Sequence, residues 1–249
     1  MIYTNSGAVV SSNMIDEAVW LRSICQKNRF DLSDEQVDLL RKYVGQLLEW
    51  NKKLNLISRK DEDNVWIRHL LTSIALLFRF EFRQGSAIID IGTGGGLPGI
   101  PLAILSKNVN MALLDSTQKK IRAVTEIVSA LKLERVKTYS GRAEELNRLP
   151  KFHRSFDYVL ARGVGSISQM IEWTAPFLKR RTSSDTDDSR DRATLKRGSI
   201  VLWKGGDLTR ELEQVQTKDK PAGMSSYPLT IDGIDPSELF EKKIVVIQP

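Results

Sequence analysis

Hydrophobic positions change period along this chain, and the change divides it. From Ser33 onward Val37, Leu40, Val44, Leu47 and Leu48 recur at helical spacing, which predicts an amphipathic helix over residues 34–50. Ser33 followed three residues later by Gln36 reads as a capping box, satisfying amides that the first turn leaves free. A shorter helix is expected before it, carrying Ile15, Val19, Arg22 and Gln26. A third, over residues 63–79, would gather Trp66, Leu70, Ile74, Leu77 and Phe78. After Gly85 the pattern becomes short apolar runs, at 87–91, 111–114, 136–139, 156–161 and 200–203, with helical stretches at 117–133 and 166–178 between them. Such alternation implies βαβ units and a mostly parallel sheet with helices on both faces. Two late runs, 227–231 and 243–247, flank the turn Asp232-Gly233 and would supply an antiparallel edge. Residues 1–84 are therefore expected to form a helical region and 85–249 an α/β domain. Within the latter, 181–197 is Ser-, Thr-, Asp- and Arg-rich without apolar periodicity, and reads as a solvated insertion.

Composition fits a packed core: of 249 residues, 41% are hydrophobic and 27% charged, which argues against wholesale disorder. Lys and Arg number 37 against 31 Asp and Glu, a net charge of +6 that favours an anionic partner. One cysteine cannot form an internal disulfide, and with two histidines it cannot build a Cys/His zinc cluster, so no metal site is expected. The best apolar run, 70–78, is broken by Thr72 and Ser73 and falls short of the roughly 18 residues of a membrane helix. The first residues lack a basic segment before an apolar stretch, so no secretory signal is expected and a cytoplasmic protein is the default.

Candidate chemistry concentrates in Ile88-Ile89-Asp90-Ile91-Gly92-Thr93-Gly94-Gly95-Gly96-Leu97-Pro98-Gly99-Ile100, between a strand and a helix. Glycines there permit a tight turn and close approach of a ligand to the backbone. Asp115, at the end of the next strand, stands where a carboxylate can take both ribose hydroxyls of an adenosine cofactor, although a helix N-cap would use the same residue. No GxxxxGK[ST] is present, which removes the P-loop class. The Asp-x-Gly-x-Gly-x-Gly pattern from Asp90 to Gly96 resembles motif I of class I S-adenosylmethionine methyltransferases. For that cofactor the helix N-terminus would face a carboxylate instead of a phosphate.

The methyl acceptor can be narrowed. Cytosine C5 chemistry needs a cysteine nucleophile, and Cys25 lies far upstream of the sheet. The Asn/Asp-Pro-Pro-aromatic motif of amino-group methylation is replaced by Leu160-Ala161-Arg162-Gly163-Val164. An acceptor with a lone pair and no proton to lose, such as guanine N7, needs positioning rather than a base. Arg162, at a strand's C-terminal edge, could hold a guanine O6 or a phosphate.

The chain resembles the RsmG/GidB family of guanine-N7 methyltransferases of small-subunit ribosomal RNA. The resemblance rests on LLEWNKKLNLIS (47–58), IRHLLTSI (67–74), IIDIGTGGGLPGIPLAI (88–104), LLDSTQKKIRAV (113–124), GRAEEL (141–146), DYVLARGVGS (157–166) and LWKGG (202–206). It implies a class I Rossmann-like fold with a helical N-terminal cap, S-adenosylmethionine as cofactor, and small-subunit ribosomal RNA or its assembly intermediate as partner. By the same resemblance the cofactor would touch Gly92, Gly94, Leu97, Asp115, Ala143, Glu144 and Arg162, with Asp90 and Gly96 completing the turn. Arg142, Arg162 and Lys204 would face the RNA or its target base. Four positions depart from the family pattern: Thr72 stands for an Asp, Ile57 for a Thr, and Gly163 and Gly165 for two Ala. They keep two other expectations open, a class I methyltransferase on another RNA or small molecule and a cofactor-binding assembly factor without turnover. A monomer is expected.

Overall fold

The central apolar runs after Gly85, at 87–91, 111–114, 158–161 and 200–203, become strands that bury side chains on both of their faces, whereas the run at 136–139 buries only Val136. The computed structural model describes residues 2–3, 9–10, 16–106, 108–180 and 193–249. Its central sheet contains β1 (Ala87–Ile91), β2 (Asn110–Asp115), β3 (Val136–Ser140), β4 (Tyr158–Arg162), β5 (Ser199–Lys204), β6 (Gly223–Pro228) and β7 (Lys243–Gln248). The order across the sheet is β6-β7-β5-β4-β1-β2-β3. β1 to β5 pair in parallel, while β7 runs antiparallel to both β5 and β6. The antiparallel strand thus lies one position in from the edge.

Helices cover both faces. Ile88, Leu113, Leu160 and Val201 point into a core shared with α1 (Glu17–Lys27), α2 (Asp34–Asn51), α3 (Gly99–Leu105) and α4 (Gln118–Ala130). Their neighbours Ile89, Leu114, Val159 and Ile200 point the other way, into a core shared with α5 (Ile167–Thr174) and α6 (Thr209–Lys218). This period-2 alternation of two buried faces is the physical signature of a doubly wound sheet.

The capping box forms as expected: Gln36 N donates to Ser33 Oγ and Ser33 N to Gln36 Oε1. Elsewhere the sequence reading needs correction. α1 buries Ala18, Trp20, Leu21, Ile24 and Cys25 and leaves Val19 62% exposed, so Val19 lies on its solvent face. Ile15 lies outside the described residues. The helix expected over 63–79 is broken into a 3-10 turn (Arg59–Asn64), a wider π turn (Trp66–Leu71) and two short α segments. The helix expected to reach 178 gives way after Thr174 to a 3-10 turn, Ala175–Phe177, because Pro176 cannot donate to the helical ladder. The strand expected at 227–231 sits earlier, at Gly223–Pro228, and α6 was not expected at all. Of the insertion, 181–192 lies outside the described residues. Its end is ordered: Ala193–Thr194 pairs in parallel with Phe80–Glu81, and the Leu195 carbonyl accepts the Tyr158 hydroxyl at 2.7 Å.

The face of α1 can be checked by urea unfolding. Leu21→Ala should cost about 2–5 kcal/mol, whereas Val19→Ser should stay within about 0.5 kcal/mol. Equal costs would contradict this orientation.

Candidate functional site

The C-terminal ends of β1, β2, β4 and β5 share one rim, and strand order reverses between β1 and β4. Open α/β sheets form a ligand crevice at such a reversal. The loop after β1 is shaped from below. Gly92 N and Thr93 N both donate to the Leu114 carbonyl, at 2.8 and 3.0 Å. Asp90, fully buried at the end of β1, accepts Thr93 Oγ1 at 2.7 Å and Gly99 N at 3.0 Å on Oδ2, pinning both ends of the turn. Its other oxygen, Oδ1, is buried without a hydrogen-bond partner among the described residues. Burial pushes this carboxyl up to about 7, against the opposing pull of Thr93, Gly99 and the Arg162 charge. Gly92 and Gly96 have positive φ, and a Cβ on them would meet Val164 and Ile100 at 2.4 Å. These two glycines are thus required by packing as well as by backbone conformation.

Asp115 ends β2 beside the same turn. Its Oδ2 accepts Gly94 N at 3.0 Å and its Oδ1 accepts Thr117 N at 2.8 Å. An ionised carboxylate has about four acceptor positions, so two backbone amides orient the group and leave capacity for a diol. The loop after β3 is tied to the same place, because Gly141 N donates to the Asp115 carbonyl at 3.1 Å. There Arg142 caps a single helical turn, Ala143–Leu146, with Ala143 buried. The Arg142 guanidinium is exposed and lies 3.6 Å from the Glu144 carboxylate. Leu97 is buried behind the glycine turn.

Arg162 is turned away from the position expected of a base-holding group. Its Nη1 donates to the His69 carbonyl at 3.1 Å and to Ser73 Oγ at 3.0 Å. Its Nη2 donates to the Arg68 carbonyl at 2.8 Å and to His69 Nδ1 at 3.0 Å. The terminal N–H groups are therefore all engaged by the π turn and the residues after it. Burial lowers its pKa to about 10, with Tyr43, Asp90 and Asp61 opposing, and the guanidinium stays charged at neutral pH. Lys204 is likewise occupied: its ammonium donates to the Gly165 carbonyl at 3.0 Å and pairs with Glu211 at 3.1 Å. Both side chains hold rim loops together.

Residues that the sequence reading did not single out complete the rim. Tyr43 of α2, fully buried, donates its hydroxyl to the Gly95 carbonyl at 3.0 Å. A Cβ at Gly95 would meet Leu47 at 2.6 Å and Leu56 at 3.2 Å, so the helical region packs directly on the glycine turn. Asn51 accepts the amides of Leu56 and Ile57 on one oxygen, at 2.8 and 2.9 Å, and donates to Glu62. That geometry accommodates the isoleucine at 57. Thr72 bonds back to the Arg68 carbonyl at 2.8 Å, while its own carbonyl accepts Trp203 Nε1 at 2.9 Å. Only spacing could have flagged Tyr43, and a tyrosine within an apolar stripe reads as core.

His69 links the clamp to a carboxylate. Its Nδ1 accepts from Arg162, so the ring proton sits on Nε2, which donates to Asp61 Oδ2 at 3.2 Å. Burial, reinforced by the Arg162 charge, lowers its pKa to about 4, with Asp61 opposing. Because the folded value lies below the ordinary 6.5, the stability this group contributes is full above that pH. It is lost as pH falls from there through about 4. A ¹⁵N NMR titration should find the His69 ring neutral, with its proton on Nε2, from pH 8 down to about 5.5. A midpoint near the ordinary histidine value would contradict this wiring.

Residues 36–184 match the family model described as rRNA small subunit methyltransferase G. A ribosomal RNA small subunit methyltransferase G of Chlorobium luteolum is 36% identical over 233 residues, covering 91% of this chain and 87% of its own. One of Flavobacterium johnsoniae is 36% identical over 219 residues, covering 88% and 93%. Among solved structures, a predicted O-methyltransferase of Agrobacterium tumefaciens superposes with a TM-score of 0.51 at 12% identity, covering 72% of this chain and 80% of its own. The fibrillarin/Nop5p complex gives 0.51 at 10% identity, covering 70% and 78%. These two likenesses concern the fold alone.

Proposed function

The chain belongs to the rRNA small subunit methyltransferase G (GidB) family, and from that premise we propose that it transfers a methyl group from S-adenosylmethionine to N7 of a guanosine in small-subunit ribosomal RNA. The observation that carries the cofactor reading is the carboxylate of Asp115, fixed by Gly94 N and Thr117 N at the strand-order reversal with acceptor capacity to spare. Asp115 would take the ribose hydroxyls, and Gly92, Gly94 and Gly96 would let the backbone approach the ligand. Leu97, Ala143 and Glu144 border the same crevice, while Asp90 acts from beneath by holding the turn. When bound, the cofactor supplies a methyl group on a positively charged sulfur.

Guanine N7 has a lone pair and no proton to lose, so transfer to it needs no general base. The rim fits that requirement: both ring nitrogens of His69 are engaged, and Lys204 and Arg162 act as donors within the fold. What remains for the protein is to place N7 roughly 3 Å from the methyl group, in line. Arg142 is exposed beside the crevice, and Lys52, Lys53, Arg59 and Lys60 are exposed on the helical region, giving phosphate partners on two sides. No helix among the described residues is long and apolar enough to cross a membrane. We infer a monomer acting in the cytoplasm beside its RNA.

Incubation with labelled cofactor and either deproteinised small-subunit RNA or immature subunits should yield N7-methylguanosine. Label on another RNA or a small molecule, or cofactor binding without turnover, would overturn the assignment. Asp115→Ala should weaken cofactor binding by about 1.5–3 kcal/mol in calorimetry, the range for hydrogen bonds to a charged acceptor. Unchanged affinity in the folded variant would exclude Asp115 as the ribose ligand.

A further inference from the structure

Phe240 is 51% exposed although it is a large apolar side chain. It caps the 3-10 turn Pro236–Leu239 with φ at 50°, and Glu241 follows at 49°. Two successive non-glycine residues in the left-handed region cost energy, and such strain persists where surrounding structure holds it. Buried Leu239 and the bonds from Lys242 N to the Leu239 carbonyl and from Leu229 N to the Lys242 carbonyl hold it here. The turn thus presents the ring outward.

Two cations accompany the ring. The Arg68 guanidinium carbon lies 4.5 Å from its centroid and the Lys242 ammonium 5.9 Å. Arg68 is fixed by Asp61 at 2.7 Å, and its carbonyl accepts both Arg162 and, at 3.2 Å, Lys242 Nζ. Burial, then the charge of Arg162, lowers the Lys242 pKa to about 8, with Asp61 opposing and Arg68 adding to the fall. Phe240 also adjoins the turn after β5, since a Cβ at Gly205 would lie 3.9 Å from its carbonyl oxygen. Lys243, three residues on, pairs with Lys204 across the sheet. The ring therefore stands at the rim where the parallel strands end, against Arg68 of the π turn that receives Arg162.

We propose that Phe240, flanked by Arg68 and Lys242, is a stacking platform for an unpaired nucleobase of the RNA substrate, with the two cations meeting its phosphates. An exposed ring backed by cations is the arrangement by which proteins hold single-stranded nucleic acid, because every base has a π face. The inference rests on the RNA-methyltransferase reading above. It adds a second contact, separate from the crevice that takes the methyl donor.

The test is Phe240→Ala with Phe240→Trp as the rescuing variant, each compared with the unaltered protein on deproteinised small-subunit RNA. Phe240→Ala should raise KM for RNA about tenfold, with kcat, cofactor affinity and urea midpoint unchanged, and Phe240→Trp should restore KM. A KM within twofold of the unaltered protein would overturn the platform. So would a defect seen on subunits but not on deproteinised RNA, which would assign the ring to a protein partner. If the unaltered protein methylates no small-subunit RNA, the functional reading fails by itself. The platform is then judged by quenching of a 2-aminopurine-containing single-stranded RNA. Quenching that Phe240→Ala abolishes and Phe240→Trp retains supports it, and equal quenching overturns it.

Discussion

A buried guanidinium has to find acceptors for its donors, and in this protein that requirement joins two parts of the chain. Arg162 leaves the end of β4 and spends its terminal N–H groups on the carbonyls of Arg68 and His69, the His69 ring and the Ser73 hydroxyl. A regular helix over 66–74 would direct its carbonyls along its own axis. The wider π turn at Trp66–Leu71 helps to present two of them to a side chain arriving from the sheet. Charge is balanced through the same contacts, with Asp61 beyond His69 and Asp90 at the neighbouring strand end. Removing one member of such a group leaves the others buried and unpaired, which is why its cost exceeds that of an exposed ion pair.

With that clamp closed, the helical region becomes part of the rim at the strands' C-terminal ends. Tyr43 holds the Gly95 carbonyl, Leu47 and Leu56 press against the same glycine, and Asn51 fixes the loop that brings Leu56 there. The glycine turn is thus supported from the sheet side by Asp90 and from the helical side by Tyr43. Asp115 and the loop after β3 complete a surface whose shape is set before any ligand arrives, the condition under which positioning alone can drive a transfer.

The parts legible in the sequence are those governed by local pattern. The residues of β1 follow from an apolar run bounded by Gly85 and Gly92, and the start of α2 follows from Ser33 and Gln36. The family motifs carried the fold and the chemistry further than composition could. Period alone failed where the competing signal was non-local. Apolar spacing does not distinguish an α from a π turn, so the break within 63–79 is visible only where its carbonyls accept the Arg162 guanidinium. The buried face of α1 was not legible, because Trp20, Leu21 and Ile24 compete with Val19 for the core and packing against α2 and the π turn decides. Lys204 looked free because Glu211 and Gly165 come to it only through folding. β6 begins at Gly223-Met224-Ser225-Ser226, too polar to announce a strand, and pairing with β7 imposes the extended backbone. Phe240 lay in a polar stretch, and its exposure is a property of the turn rather than of its neighbours in sequence.

If Arg162 acts as the clamp, its loss should loosen the helical region before it affects the sheet. Native-state hydrogen exchange on Arg162→Met measures this directly. The account predicts lost protection over residues 66–79 and the glycine turn, with β2 and β3 exchanging as in the unaltered protein. Unchanged protection at 66–79, together with lost RNA or cofactor binding, would contradict it and return Arg162 to the role of a ligand contact.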